Sequence, residues 1–149
     1  MSLPRILLLA LLAAVVAGCT LSENEQDRTA GVVVKDVIEQ EYVGDYGTVW
    51  DSLHPRHQRL VTRKEYEDCR RTIDVKGRIE SVLILDVRDQ PLTVYGLPRR
   101  TPSKAVRVRV TTDEGAYTAT YHVVRVGDRW RWVLSDRAAR GFARGPCPA

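Results

Sequence analysis

The 149-residue chain predicts an α+β domain, three N-terminal helices packed on a curved antiparallel sheet of about four strands. Three observations carry this expectation. Apolar residues recur at helical spacing as far as Cys69; beyond Gly77 the spacing changes to that of strands; and the last three strands are separated only by short turns at Gly115 and Gly127. The length excludes a multidomain enzyme, and a single long apolar stretch excludes a multi-span membrane protein. That stretch, residues 6–17, inflates the 44% hydrophobic content, so the rest of the chain must form its core from sparse, patterned positions. Trp50, Trp130 and Trp132 among repeated Val, Ile and Tyr argue against disorder.

The chain opens with a positive flank at Arg5 and an apolar run shorter than the ~20 residues a spanning helix needs. Residues 20–27 (TLSENEQD) show no apolar period, and with Cys19 they read as a tether over 19–27. The first helix follows from residue 28, with Val34, Ile38 and Tyr42 on one face and Gly44 at its end. Asp45 caps a second helix bearing Tyr46, Val49, Trp50 and Leu53, which stops at His54-Pro55. Thr62 and Glu65 have the spacing of a capping box, opening a third helix that turns Tyr66 and Cys69 inward.

After Gly77, residues 78–87 (RIESVLILDV) are β-branched and nearly apolar on both faces, as in a covered central strand. Residues 88–104 hold Pro91, Gly96, Pro98 and Pro102 and form an irregular connection with a short extended piece at 92–95. Val106, Val108 and Val110 alternate with Arg107, Arg109 and Thr111, giving one core face and one wet face. Two more strands follow, over 116–126 and 129–135, with Trp130, Trp132 and Leu134 sharing a face.

Two resemblances sharpen the expectation. Val16-Ala17-Gly18-Cys19 resembles the lipobox of bacterial lipoproteins. The resemblance implies that residues 1–18 are a signal peptide, that the Cys19 thiol takes a diacylglyceryl group, and that the mature protein is extracytoplasmic and anchored to the cell membrane by lipid. Acyl chains contribute about 0.8 kcal/mol per buried CH₂, so two or more hold a protein on a membrane stably. With Cys19 so assigned, Cys69 and Cys147 remain as a disulfide pair in an oxidising compartment, or else as two unrelated thiols. Separately, residues 46–53 (YGTVWDSL), the stretch at 60–66 (LVTRKEY) and the closing WRWVL at 130–134 resemble the nuclear transport factor 2-like domains of small bacterial lipoproteins. That likeness covers about residues 28–135 of a single domain at 28–149, and implies a cone whose open end holds a small molecule or is filled by side chains.

Several residues are candidates for function. Asp51, His54 and His57 bring two imidazoles and a carboxylate within seven residues, a combination suited to general base chemistry or metal binding; His54 equally suits a helix end. No Cys has a metal-spaced Cys or His beside it, so no metal or cofactor is expected. Tyr42, Trp50, Tyr66, His122 and Trp130 are candidates for lining the cone, against the alternative of ordinary core aromatics and a half-exposed strand histidine. The basic tail, Arg137, Arg140 and Arg144, either touches anionic headgroups or is a solvated segment held by Cys147.

The formal net charge of +4, lowered by one when Arg5 leaves, is too mild and dispersed for nucleic acid. The leading expectation is a lipid-anchored binding domain for a small apolar ligand or an envelope protein, without catalysis. The alternatives are an enzyme of the isomerase or cyclase type resembling others of that fold, and a structural component acting through an Arg-rich outer sheet face.

Overall fold

A computed structural model describes residues 23–73, 77–145 and 147 of the chain. The expected signal peptide, the lipobox and Cys19 lie outside the described residues. Helix α1 (Glu23–Val43) is followed by α2 (Tyr46–Ser52), a single turn α3 (Pro55–Gln58) and α4 (Arg63–Arg71). Strands β1 (Ile79–Asp89), β2 (Lys104–Thr112), β3 (Gly115–Val126) and β4 (Arg129–Trp132) form an antiparallel meander in the order β1-β2-β3-β4, and α5 (Asp136–Arg144) closes the chain. The α+β class and the four-stranded antiparallel sheet agree with the sequence; the number and bounds of the helices do not.

The expected local signals are in place at α2 and α4. Asp45 accepts from the Thr48 N–H, and Thr62 and Glu65 exchange both hydrogen bonds of a capping box. Gly44, with φ of 78°, supplies the left-handed residue after α1. Tyr66 and Cys69 are buried from α4.

Helix α1 begins inside the stretch read as a tether, so residues 23–27 are its first turn and more. Glu23 and Glu25 place negative charge at the positive helix end. Asp27 then reaches Lys104 Nζ at 2.7 Å, and Asp89 holds the same ammonium at 3.0 Å. Lys104 is 4% exposed, so these two carboxylates are what allow a cation to sit under α1. A polar run without apolar period carries no sign of that partner, which lies 77 residues away in sequence.

The core has two parts. Ala30, Val34 and Ile38 of α1 pack on Val106, Val108, Val110 and Val123 of the sheet. Val49, Leu53, Val61, Tyr66, Val94, Trp132, Leu134, Ala139 and Phe142 form the other part, between the helices, the 92–97 connection and the end of β4.

Strand β1 departs from its expected setting. It is the edge of the sheet, with Val82, Ile84 and Val87 against α1 while Leu83 and Leu85 are 58% and 40% exposed. Its pairing with β2 shifts register between Ile84 and Asp86, which leaves Leu85 unpaired and breaks the alternation one step later, at Asp86 and Val87. An apolar run does not distinguish a central strand from an edge strand, because the pattern records side chains and not neighbours.

The C-terminal segment is a helix instead of an irregular basic tail. Ser135 caps it by accepting from the Ala138 N–H, and Ala139, Gly141 and Phe142 are buried. Ala138, Ala139 and Phe142 at helical spacing were the available signal, masked by the arginines between them.

Candidate functional site

A cavity of about 600 Å³ opens between α4, α5, the 92–94 connection, the middle of β3 and the end of β4. Its walls are mostly apolar, with Leu92, Val94, Trp132, Leu134 and Phe142 contributing. Tyr66 and Phe142 rings lie 5.8 Å apart across the α4–α5 side, and Tyr121 and Trp132 rings 5.1 Å apart on the sheet side. Such a space, apolar with a few convergent polar groups, is the usual form of a small-molecule site.

Three polar groupings stand in these walls. Glu41, from the last turn of α1, accepts from the Tyr66 hydroxyl at 3.4 Å and pairs with Arg70 at 3.1 Å. Burial raises the Glu41 carboxyl above the usual carboxylate range, with Arg70 and the Tyr66 hydroxyl opposing that rise. Tyr121 belongs to a hydroxyl chain with Tyr117 and Tyr42, and burial with that hydrogen bond pushes Tyr42 up to about 12. The third grouping is His122 with Ser103, whose Oγ is 3.1 Å from His122 Nδ1. Burial, then the nearby Arg88 charge, holds the His122 imidazole below its ordinary value, so it is neutral at pH 7.

Of the five residues expected to line a cavity, Tyr66 and His122 do. Tyr42 does not; it packs on the core between α1 and the sheet and shares a hydrogen bond with Tyr117, which in turn bonds Tyr121. Trp50 is structural: its Nε1–H donates to the Val61 carbonyl at 3.1 Å while its ring packs on the helical core. Trp130 lies at the opposite end of β4, donating to Thr29 Oγ at 3.2 Å with the Arg125 guanidinium 5.7 Å from its ring. Alternation along a strand does not say how far the sheet extends past its covering helix, which is what separates Trp130 from Trp132.

The sequence cluster of Asp51, His54 and His57 is not a catalytic unit. Asp51 faces solvent in an ion pair with Arg63 at 3.1 Å. His54 caps α3, its Nδ1 accepting from the Arg56 N–H, and burial with neighbouring positive charge brings it to about 4. His57 is fully buried. Its Nδ1 accepts from the Leu134 N–H at 3.0 Å, so its proton resides on Nε2 and donates to the Tyr95 carbonyl at 3.0 Å. Gly96, with φ of 87°, lets the backbone come close: a Cβ there would stand 3.3 Å from the imidazole. Both nitrogens of His57 are therefore consumed in joining α3 to the end of β4 and to the connection that walls the cavity.

Arg140 of the basic segment pairs with Asp136, which also accepts from the Tyr95 N–H at 2.8 Å. Cys147, beyond α5, is paired as a disulfide with Cys69 of α4, their Cα atoms 5.1 Å apart. The two helices that flank the cavity are thus tied at one end.

Glu41 and Arg70 were missed from sequence, yet both left a trace. Glu41 falls seven residues after Val34 and three after Ile38, a carboxylate on the buried face of α1. Arg70 falls four after Tyr66, on the inner side of α4. Ser103, in the Pro-containing connection, left none. No protein-family model matches the chain, and no curated protein matches it at a significant level.

Proposed function

We propose that the protein is a lipid-anchored component of the bacterial envelope, with a nuclear transport factor 2-like domain that binds a small, largely apolar ligand in its cavity and performs no chemistry on it. The observation that supports this reading is the cavity of about 600 Å³, whose apolar walls carry a small set of polar side chains. The anchor rests on the Val16-Ala17-Gly18-Cys19 sequence. Among the described residues no helix is long and apolar enough to cross a membrane.

Two experiments test the two halves. Cys19→Ala is expected to move the protein from the membrane fraction to the soluble fraction; unchanged fractionation removes the anchor. The soluble Cys19→Ala protein, exposed to an envelope extract, is expected to retain a small molecule detectable by native mass spectrometry. Thr120→Trp, placed on an exposed strand position of the cavity wall, is expected to abolish retention by filling the space. Equal retention by both proteins, or none by either, counts against the cavity as the binding site.

A second reading, an isomerase- or cyclase-type enzyme, is favoured by one observation: Glu41 and a neutral His122 are two titratable side chains in the wall of the same cavity. Conversion of the retained molecule on incubation, lost in His122→Gln, would establish this reading over simple binding.

A further inference from the structure

His122 and Ser103 determine the hydrogen-bond polarity of the cavity. The Ser103 hydroxyl lies 2.5 Å from the Gln90 carbonyl oxygen. A carbonyl only accepts, and a hydroxyl has one proton, so that proton points to Gln90. The same Oγ, 3.1 Å from His122 Nδ1, must then accept, which places the imidazole proton on Nδ1. His122 Nε2 is left with its lone pair, on a residue that forms part of the cavity wall. Ser103 is itself buried and its backbone pairs with Gln90, so the orienting group is held by β-type hydrogen bonding across the start of β2. His57 shows the opposite tautomer, fixed by the same logic and wholly satisfied by backbone, so the free lone pair is particular to His122.

We infer that the cavity selects neutral, apolar ligands bearing a hydrogen-bond donor, an alcohol, phenol or amide N–H, which His122 Nε2 receives while Ser103 positions the ring. This rests on the cavity being the ligand site. A ligand offering only acceptors would set a lone pair against that nitrogen and leave it desolvated without a partner, the situation that discriminates most strongly between close analogues. The Glu41 carboxyl, in the wall of the same cavity, likewise receives donors, already accepting from Tyr66 and Arg70.

The test uses three probes of nearly equal size on the soluble Cys19→Ala chain: 2-naphthol, 2-methoxynaphthalene and 2-naphthoate. 2-Naphthol is expected to bind about tenfold tighter than 2-methoxynaphthalene, the effect of one hydrogen bond in a water-excluded site. His122→Phe is expected to bring the two to equal affinity through a loss for 2-naphthol alone. In parallel, ¹⁵N-resolved imidazole NMR of the chain without probe is expected to show His122 protonated on Nδ1 and His57 on Nε2. The inference is overturned by a His122 proton on Nε2, by 2-methoxynaphthalene or 2-naphthoate binding as tightly as 2-naphthol, or by a preference that survives His122→Phe. Absence of binding by all three, with the Nδ1 proton in place, overturns the cavity as a binding site and the inference with it. Should His122→Phe fail to fold, the tautomer and the probe ranking on the histidine-bearing chain still decide.

Discussion

His57→Ala is expected to destabilise the domain by about 3 kcal/mol, measured by urea unfolding at pH 7.5. The loss follows from the two backbone groups that the imidazole satisfies. Without it the Leu134 N–H and the Tyr95 carbonyl face a buried space, and a buried polar group left unpaired costs about 1–3 kcal/mol. The empty volume adds to that. His57→Asn should retain part of the stability, since its amide oxygen reproduces the acceptor for Leu134 while losing the contact to Tyr95. A destabilisation below 1 kcal/mol for His57→Ala would show that the imidazole does not join these segments in solution.

The same residue makes stability depend on pH with a definite sign. Burial holds both His57 and His54 below their ordinary value, His54 at about 4. Histidines in the unfolded chain take protons near pH 6.5, so below that pH the unfolded state binds more protons than the folded one. Stability therefore falls as pH drops from about 6.5 toward 4, and His57 contributes at most about 1.4 kcal/mol per pH unit. Glu41 acts the other way: its raised pKa makes the folded state bind more protons above pH 4.5, so its contribution falls as pH rises. Comparing the natural chain with His57→Asn isolates the histidine, and the variant's profile should be flatter between pH 6.5 and 5. An equally steep profile in the variant would assign the acid sensitivity elsewhere.

Cys147→Ser is expected to lower stability by up to about 4.5 kcal/mol, the chain-entropy value for closing a loop whose ends are 78 residues apart. Native-state strain and residual structure in the unfolded chain reduce such figures. Reductant should lower the natural chain to the level of the variant and leave the variant unaffected. Intact mass and thiol counting of the soluble Cys19→Ala chain should show no free thiol before reduction and two after it. Two free thiols before reduction would reject the bridge. A second consequence reaches the cavity. The bridge ties the end of α5 to α4, and both helices supply its walls, so hydrogen exchange in α5 should quicken in Cys147→Ser more than exchange in the sheet.

The elements that were legible in the sequence are those set by short-range chemistry. Asp45, Thr62 with Glu65, and Gly44 mark helix ends because the atoms they satisfy lie within four residues. Val106, Val108 and Val110 identify the inward face of β2 because alternation is a property of the strand alone. The start of α1 was misread because its fixing partner, Lys104, comes from another element. Strand β1 was misplaced for a related reason, since an apolar strand looks the same at the edge of a sheet as inside it. In the site, Tyr66 and His122 were accessible as aromatic and polar residues on inward-turned elements, whereas Ser103 had nothing in its neighbourhood to mark it.

By itself the sequence determined the α+β class, the antiparallel order of the strands and the caps, which follow from local period and turn chemistry; for Cys69 and Cys147 it left a bridge and two separate thiols both open, and the fold brings them together. The tertiary structure decided which side chains surround empty space and which hydrogen-bonding groups are already satisfied. His57 and His122 are the clearest instance. The same imidazole is a fully engaged structural strut in one place and, in the other, part of a cavity wall with only its Nδ1 held by a side chain. The difference lies in partners 77, 38 and 19 residues distant, which fix the proton on opposite nitrogens.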